Sequence, residues 1–116
     1  MPLIKVETSV KCEKAQKENV TKKLSKICAD GIGKPERYVA AIFEDDAVVT
    51  FGGEICEGAF VEVKSIGGVG GDVNKALSAE ICACLEDELD ISPACIYINF
   101  TNVQASDWGC NGTTFG

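Results

Sequence analysis

The sequence predicts an α+β fold. Two β-α-β repeats form one four-stranded sheet with both helices on one face, in a single domain over residues 1–116. Three observations lead there. Apolar and polar residues alternate in LIKVETSV and AFVEVKSI, the two-residue period of a half-buried strand. Two longer segments carry apolar residues at helical spacing instead. The halves also overlay: LIKVETS lies over FVEVKSI at a shift of 57 positions, Leu3 on Phe60, and Pro35 maps near Pro93.

In order, the first strand turns Ile4, Val6 and Thr8 to one side and Lys5, Glu7 and Ser9 to the other. From about Glu13 to Ala29 the chain reads as helix, with Val20, Leu24, Ile27 and Cys28 on one stripe. GIGKP stops it: Gly31 and Gly33 suit a C-terminal turn, and Pro35 prevents continuation. RYVAAIFE is the second strand, EDDA a turn, and VVTF a short strand returning to GG. The second half repeats the plan with AFVEVKSI as strand and GGVGG as turn. Asp72 is placed to cap a helix reaching about Leu89, with Val73, Leu77, Ile81, Cys84, Leu85 and Leu89 on one face. DISP ends that helix and ACIYINF is the next strand. The tail NVQASDWGCNGTTFG is rich in Gly and Asn, with hydrophobic pieces at Trp108 and Phe115.

Parallel strands joined by a helix cross over right-handedly, which puts both helices on the same side of the sheet. Lys5, Glu7, Glu62 and Lys64 then line the opposite face, flanked by Tyr38, Val39 and Tyr97. A two-layer fold leaves that face to water or a partner. Self-assembly would cover it and protect the edge strands.

The formal charge of −7 and pI of about 4.5 argue against a nucleic-acid partner, which needs a surplus of Lys and Arg against phosphate. A small anionic ligand requires only one local cation. No apolar h-region follows the start and no run approaches a membrane span, so a cytoplasmic protein without a membrane partner is expected. The seven Cys are odd in number and include no C-x-x-C, and there is no His. Free thiols follow, with no metal site; Ser-His-Asp chemistry is excluded. Cys82 and Cys84, at i and i+2 on a helix, point to different sides.

The start, MPLIKVETS, holds a proline directly after Met1. Proline lacks an N–H and is tolerated as the first residue of an edge strand. It has a chemical use as well: if Met1 is removed, the ring nitrogen of Pro2 becomes a secondary amine.

MPLI at the start, GKPERY at 33–38, FGG at 51–53, SIGGVGG at 65–71, ISPACIYINF at 91–100 and the closing WGCNGTTFG occur in that order along nearly the whole chain. Together they resemble macrophage migration inhibitory factor and its relatives in the tautomerase superfamily. The resemblance implies a homotrimer with a central barrel of three sheets and three active sites between neighbouring subunits, each built around an N-terminal proline. It implies a keto–enol tautomerase for a small aromatic 2-keto acid, of phenylpyruvate or dopachrome type, with no cofactor. Pro2 would be catalytic. Lys34 would hold the substrate carboxylate or oxygen, and the backbone at Ile66 together with the neighbouring side chain would bind substrate oxygen. Tyr97 and Asn99 share one strand face and would come from the adjacent subunit as wall and hydrogen-bonding group. Leu3, Tyr38, Ser65, Trp108 and Phe115 would line the pocket, although each is equally suited to a core.

The chemistry requires a base matched to working pH. A free terminal amine has a pKa of about 7.7–8.0. Burial and a nearby Lys both lower it, so the Pro2 nitrogen would be largely neutral and its conjugate acid would return the proton. Some relatives carry a C-x-x-C after FGG that is linked to thiol–disulfide activity. Here GAFV, Gly58 to Val61, stands at that place and Cys56 lies two residues earlier, alone, so redox catalysis by that motif is not expected. Lys64 stands where some relatives have His, and Trp108 and Cys110 alter the pocket rim. The alternative function is a cytokine-like signalling protein that binds a cell-surface receptor, secreted without a signal peptide, with the pocket secondary. A trimeric scaffold with a vestigial pocket is a third option.

Overall fold

In the computed structural model, which describes residues 1–116, the chain runs β1 (Pro2–Thr8), α1 (Lys14–Ile32), β2 (Ala40–Glu44), β3 (Thr50–Phe51), β4 (Glu54–Ile55), β5 (Ala59–Ser65), α2 (Gly71–Leu89), β6 (Ile96–Asn102), β7 (Gly109–Cys110) and β8 (Thr113–Thr114). Single 3-10 turns stand at Glu36–Tyr38, Pro93–Cys95 and Ala105–Asp107. The 57-position shift carries β1 onto β5, α1 onto α2 and the first 3-10 turn onto the second.

The sheet order is β2-β1-β5-β6. Each repeat contributes a parallel pair, β1 with β2 and β5 with β6, and the repeats meet along the antiparallel β1–β5 seam. Both helices cover one face, as the alternation requires. Ile4, Val6, Val61 and Val63 on the central strands pack against Val20, Leu24 and Cys28 of α1 and Leu77, Ile81 and Leu85 of α2. Each fully buried aliphatic side chain contributes about 1.5–3 kcal/mol. Thr8 is the polar member of this layer. Its hydroxyl donates to the Gly58 carbonyl at 2.7 Å and accepts from the Val10 N–H at 3.2 Å.

Several boundaries differ from the expectations, each for a local reason. α1 continues through Gly31 to Ile32, because the absent Cβ of Gly31 admits the Leu77 side chain from α2. Gly33 is the C-cap, donating its N–H to the Ala29 carbonyl at 2.9 Å. Asp72 does not cap α2. Gly70 is the N-cap, its N–H donates to Asn74 Oδ1 at 2.8 Å, and Asp72 lies in the first turn, where its charge suits the helix dipole. RYVAAIFE is strand only from Ala40, since the residues after Pro35 wind into a 3-10 turn. VVTF contributes Thr50–Phe51 to a hairpin with Glu54–Ile55. The tail is not irregular throughout: β7 and β8 pair around Asn111–Gly112, the dipeptide that two-residue hairpins favour.

The face away from the helices carries Lys5, Glu7, Glu62 and Lys64 as expected, and also exposed Ile42, Phe60 and Tyr97. Lys5 reaches Glu7 at 3.9 Å and Glu44 at 3.8 Å, and Lys64 reaches Glu62 at 4.0 Å. Such long, half-exposed pairs contribute little.

Candidate active site

Pro2 opens β1, where its missing N–H breaks no ladder, and its side chain is fully buried. It stands opposite Ser65 across the β1–β5 seam, so Ile66 follows at the same end of the sheet. Ser65 is buried, and its hydroxyl donates to the Gly67 carbonyl at 2.6 Å. The Gly67 N–H donates to Asn102 Oδ1 at 3.0 Å, and the Val103 N–H donates to the Ser65 carbonyl at 2.8 Å. The turn after β5 is thereby fastened to itself and to the end of β6.

Lys34 directly follows the cap of α1, and its N–H donates to the Ala29 carbonyl at 3.0 Å. A Cβ placed on Gly68 would lie 3.7 Å from Lys34 Cε, so the Lys34 stem runs beside the turn that carries Ile66. Burial, and secondarily the Lys34 cation, lowers the Met1 amine, one residue before Pro2, from its ordinary value. One cation and a weakened amine therefore share the Pro2 end of the sheet. Leu3 and Trp108 line a groove of about 410 Å³ there, together with Lys64, Val103, Asp107 and Gly109. Phe115 donates its N–H to the Trp108 carbonyl at 3.1 Å. Tyr38 precedes Ala40, the partner of Leu3, by two residues, and the Arg37 guanidinium lies 4.6 Å over its ring.

Tyr97 and Asn99 stand elsewhere. They face the open side of β6 opposite Phe60 and Glu62. Phe60 and Ser65 lie at opposite ends of β5, roughly 17 Å apart at the rise of an extended strand. The Tyr97 ring is 65% exposed and meets Phe51 edge to face, with centroids 4.8 Å apart and planes at 71°. Both line a hollow of about 240 Å³ with Phe60, Thr50 and Val49. Asn99 Oδ1 accepts from the Thr101 hydroxyl at 3.2 Å. One chain thus brings Pro2, Lys34, Ser65, Ile66, Leu3 and Trp108 to one end of the sheet and leaves Tyr97 near the other, with Asn99 midway along β6 opposite Glu62.

Val103 and Asp107 beside Leu3, and Phe60 beside Tyr97, were not singled out from sequence, while Lys64 and Phe51 were noted there without a place among the site residues. The antiparallel β1–β5 register places Lys64 across from Leu3, a pairing that the 57-position repeat does not by itself give. Phe51 arrives on the short β3–β4 hairpin and Asp107 on a 3-10 turn, both outside the register of the main sheet. No three His, Cys, Asp or Glu side chains converge to hold a metal ion.

A family model described as macrophage migration inhibitory factor (MIF) matches residues 1–116. A macrophage migration inhibitory factor homolog of Trichuris trichiura is 39% identical over 115 residues, covering 99% of this chain and 100% of the relative. The macrophage migration inhibitory factor of Rattus norvegicus is 36% identical over 115 residues, covering 99% of each. Among solved structures, a macrophage migration inhibitory factor homologue from Prochlorococcus marinus superposes with a TM-score of 0.93 at 37% identity, over 98% of this chain and 99% of that one.

Proposed function

The chain belongs to the macrophage migration inhibitory factor family, and we propose that it is a keto–enol tautomerase for small aromatic 2-keto acids whose base is the N-terminal amine of Pro2. The observation that carries this proposal is the placement of Pro2: first in β1, fully buried, with Lys34 close enough to act on the charge of the chain start.

Removal of Met1 frees the ring nitrogen; with Met1 attached that nitrogen is an amide and has no basic lone pair. The free amine takes a proton from the carbon between the aromatic ring and the ketone of a phenylpyruvate-type substrate. Charge passes to the ketone oxygen, which is protonated to give the enol. In reverse, the protonated amine returns a proton to that carbon. Lys34 holds the substrate carboxylate, and Ile66 meets a substrate oxygen. Leu3, Tyr38, Ser65, Trp108 and Phe115 form the surround. A positioned base of this kind contributes about 10²–10⁴-fold.

Tyr97 and Asn99 act on the same substrate from a neighbouring subunit of a homotrimer, Tyr97 as a wall and Asn99 as a hydrogen-bonding group. Two features support this arrangement: Tyr97 lies toward the far end of the sheet from Pro2 with Asn99 at mid-strand, and the open face with Ile42, Phe60 and Tyr97 has no cover within the chain.

Pro2→Gly tests the base. The variant should retain its secondary structure and oligomeric state and lose turnover of phenylpyruvate by at least about 10²-fold. Wild-type turnover from that variant, with its N-terminus verified, would rule out the Pro2 amine.

A further inference from the structure

Cys56 is not alone. The backbone of this residue, just after β4, is fixed from both sides: its N–H donates to the Val49 carbonyl at 3.1 Å and its carbonyl accepts from the Ser9 hydroxyl at 2.9 Å. Cys95 closes the 3-10 turn before β6, donating its N–H to the Ser92 carbonyl at 2.8 Å. Between them lies Gly58. A Cβ there would sit 2.8 Å from the Cys95 carbonyl oxygen, 3.2 Å from Cys56 Sγ and 2.9 Å from Cε2 of Phe51. The missing side chain lets the Cys56 thiol and the Cys95 backbone close over one small space, and the Cys95 thiol is near enough to act on the charge of Cys56. Both are half-buried, so both are held in place and still reachable. The other five are placed differently. Cys12, Cys28 and Cys84 are buried, Cys82 lies on α2 away from Cys84, and Cys110 is exposed in the terminal hairpin.

We propose that Cys56 and Cys95 are a reversible disulfide site that takes a low-molecular-weight disulfide, such as glutathione disulfide, as its oxidant. The two thiols are unbonded in the reduced protein and must close to the roughly 2 Å of an S–S bond. One protein thiolate attacks the small disulfide, whose S–S bond breaks, and one small thiolate leaves and takes up a proton. The second cysteine loses its proton and displaces the second small thiol from the mixed disulfide. Two protein thiols are oxidised and one small disulfide is reduced to two thiols. Burial first, and the neighbouring Cys95 second, raise the Cys56 pKa, so the reaction should quicken as pH rises. The bond would tie the end of β4 to the start of β6, next to the Phe51–Tyr97 ring pair. It joins segments 39 positions apart and owes nothing to a C-x-x-C motif.

The test equilibrates the full-length protein in mixtures of reduced and oxidised glutathione, alkylates the remaining thiols, and cleaves after acidic residues without reduction. Glu54 and Glu57 flank Cys56, and Asp90 and Asp107 separate Cys95 from the other cysteines, so the peptides are distinguishable by mass. The expected result is one cross-linked species joining Cys56 to Cys95, two hydrogens lighter than the sum of its peptides. It should revert on shifting to reduced glutathione and be absent from both Cys56→Ser and Cys95→Ser. Full alkylation of both cysteines at the most oxidising ratio overturns the proposal. So does their recovery only as separate glutathione adducts, or as links to other cysteines.

Discussion

Replacing Gly68 with Ala asks whether contact between the 65–71 turn and the end of α1 builds the Lys34 half of the site, and Gly67→Ala supplies the control. Both glycines have left-handed backbone, φ +79° at Gly68 and +73° at Gly67. A Cβ in that conformation costs about 1–2 kcal/mol at either position. Space separates them. Around Gly67 nothing lies within 4 Å of the new methyl, whereas at Gly68 it meets Ile32 Cγ2 at 2.5 Å and the Ile32 carbonyl oxygen at 3.0 Å. Ile32 is buried and its backbone is the last turn of α1, so neither atom yields freely. Overpacking of this kind costs about 1–3 kcal/mol more. Gly68→Ala should therefore lose about 2–5 kcal/mol and Gly67→Ala about 1–2 kcal/mol. Urea unfolding read by circular dichroism and the fluorescence of Trp108, at one fixed protein concentration, measures the difference. Because the displaced turn carries Ile66 beside Lys34, Gly68→Ala should also lose turnover, about 10²-fold for a displacement near 1 Å. Equal stability losses in the two variants, or a Gly68→Ala protein as stable as wild type, would refute the contact.

Other consequences follow from the charges. Lys34→Ala removes the cation that, after burial, lowers the Met1 amine; at the Pro2 amine freed by removal of Met1 the same loss should keep the amine protonated to higher pH. The acid limb of kcat/KM should move to higher pH and KM for a carboxylate substrate should rise; an unmoved limb contradicts the placement of Lys34. Asp45 accepts from the Cys12 N–H at 2.8 Å and from the Lys17 ammonium at 3.2 Å, which hold its carboxyl below the ordinary value. Its stabilisation is present above the ordinary carboxyl pKa and is lost as pH falls through the lowered folded value. Asp45→Asn should unfold at lower urea near neutrality and show a shallower acid-side decline in stability; identical pH profiles for the two proteins count against this.

The fold was legible because its information is local. A period of two in β1 and β5, helical stripes in α1 and α2, and the 57-position repeat together give two β-α-β units in one sheet and the side the helices occupy, while the strand order, set by the antiparallel β1–β5 seam, is seen only in the structure. What escaped were features set by three-dimensional contact. The end of α1 depends on Leu77 meeting Gly31, and the α2 cap on Asn74 reaching Gly70, so counting from Gly or Asp misplaces both. Pro2, Ser65 and Ile66 lie at one end of the sheet with Lys34 beside the turn after β5, since each adjoins a recognisable strand end or helix stop. Their separation from Tyr97 and Asn99 follows from the β5–β6 register. The Cys56–Cys95 contact has no periodic signal, because it depends on a loop closing over Gly58.

The central claim is that one site is made from two chains, with the Pro2 amine from one and Tyr97 and Asn99 from another. Subunit mixing tests it most directly. Pro2→Gly trimers and Tyr97→Ala/Asn99→Ala trimers are each assayed alone with phenylpyruvate, then unfolded together and refolded at equal ratio. Random reassembly gives about a quarter of the sites two intact halves, because every cyclic interface pairs one chain's proline with its neighbour's wall. The account predicts turnover well above the mean of the two parents, approaching about a quarter of wild type. Turnover equal to that mean at every mixing ratio, in trimers shown by mass to be mixed, would contradict it.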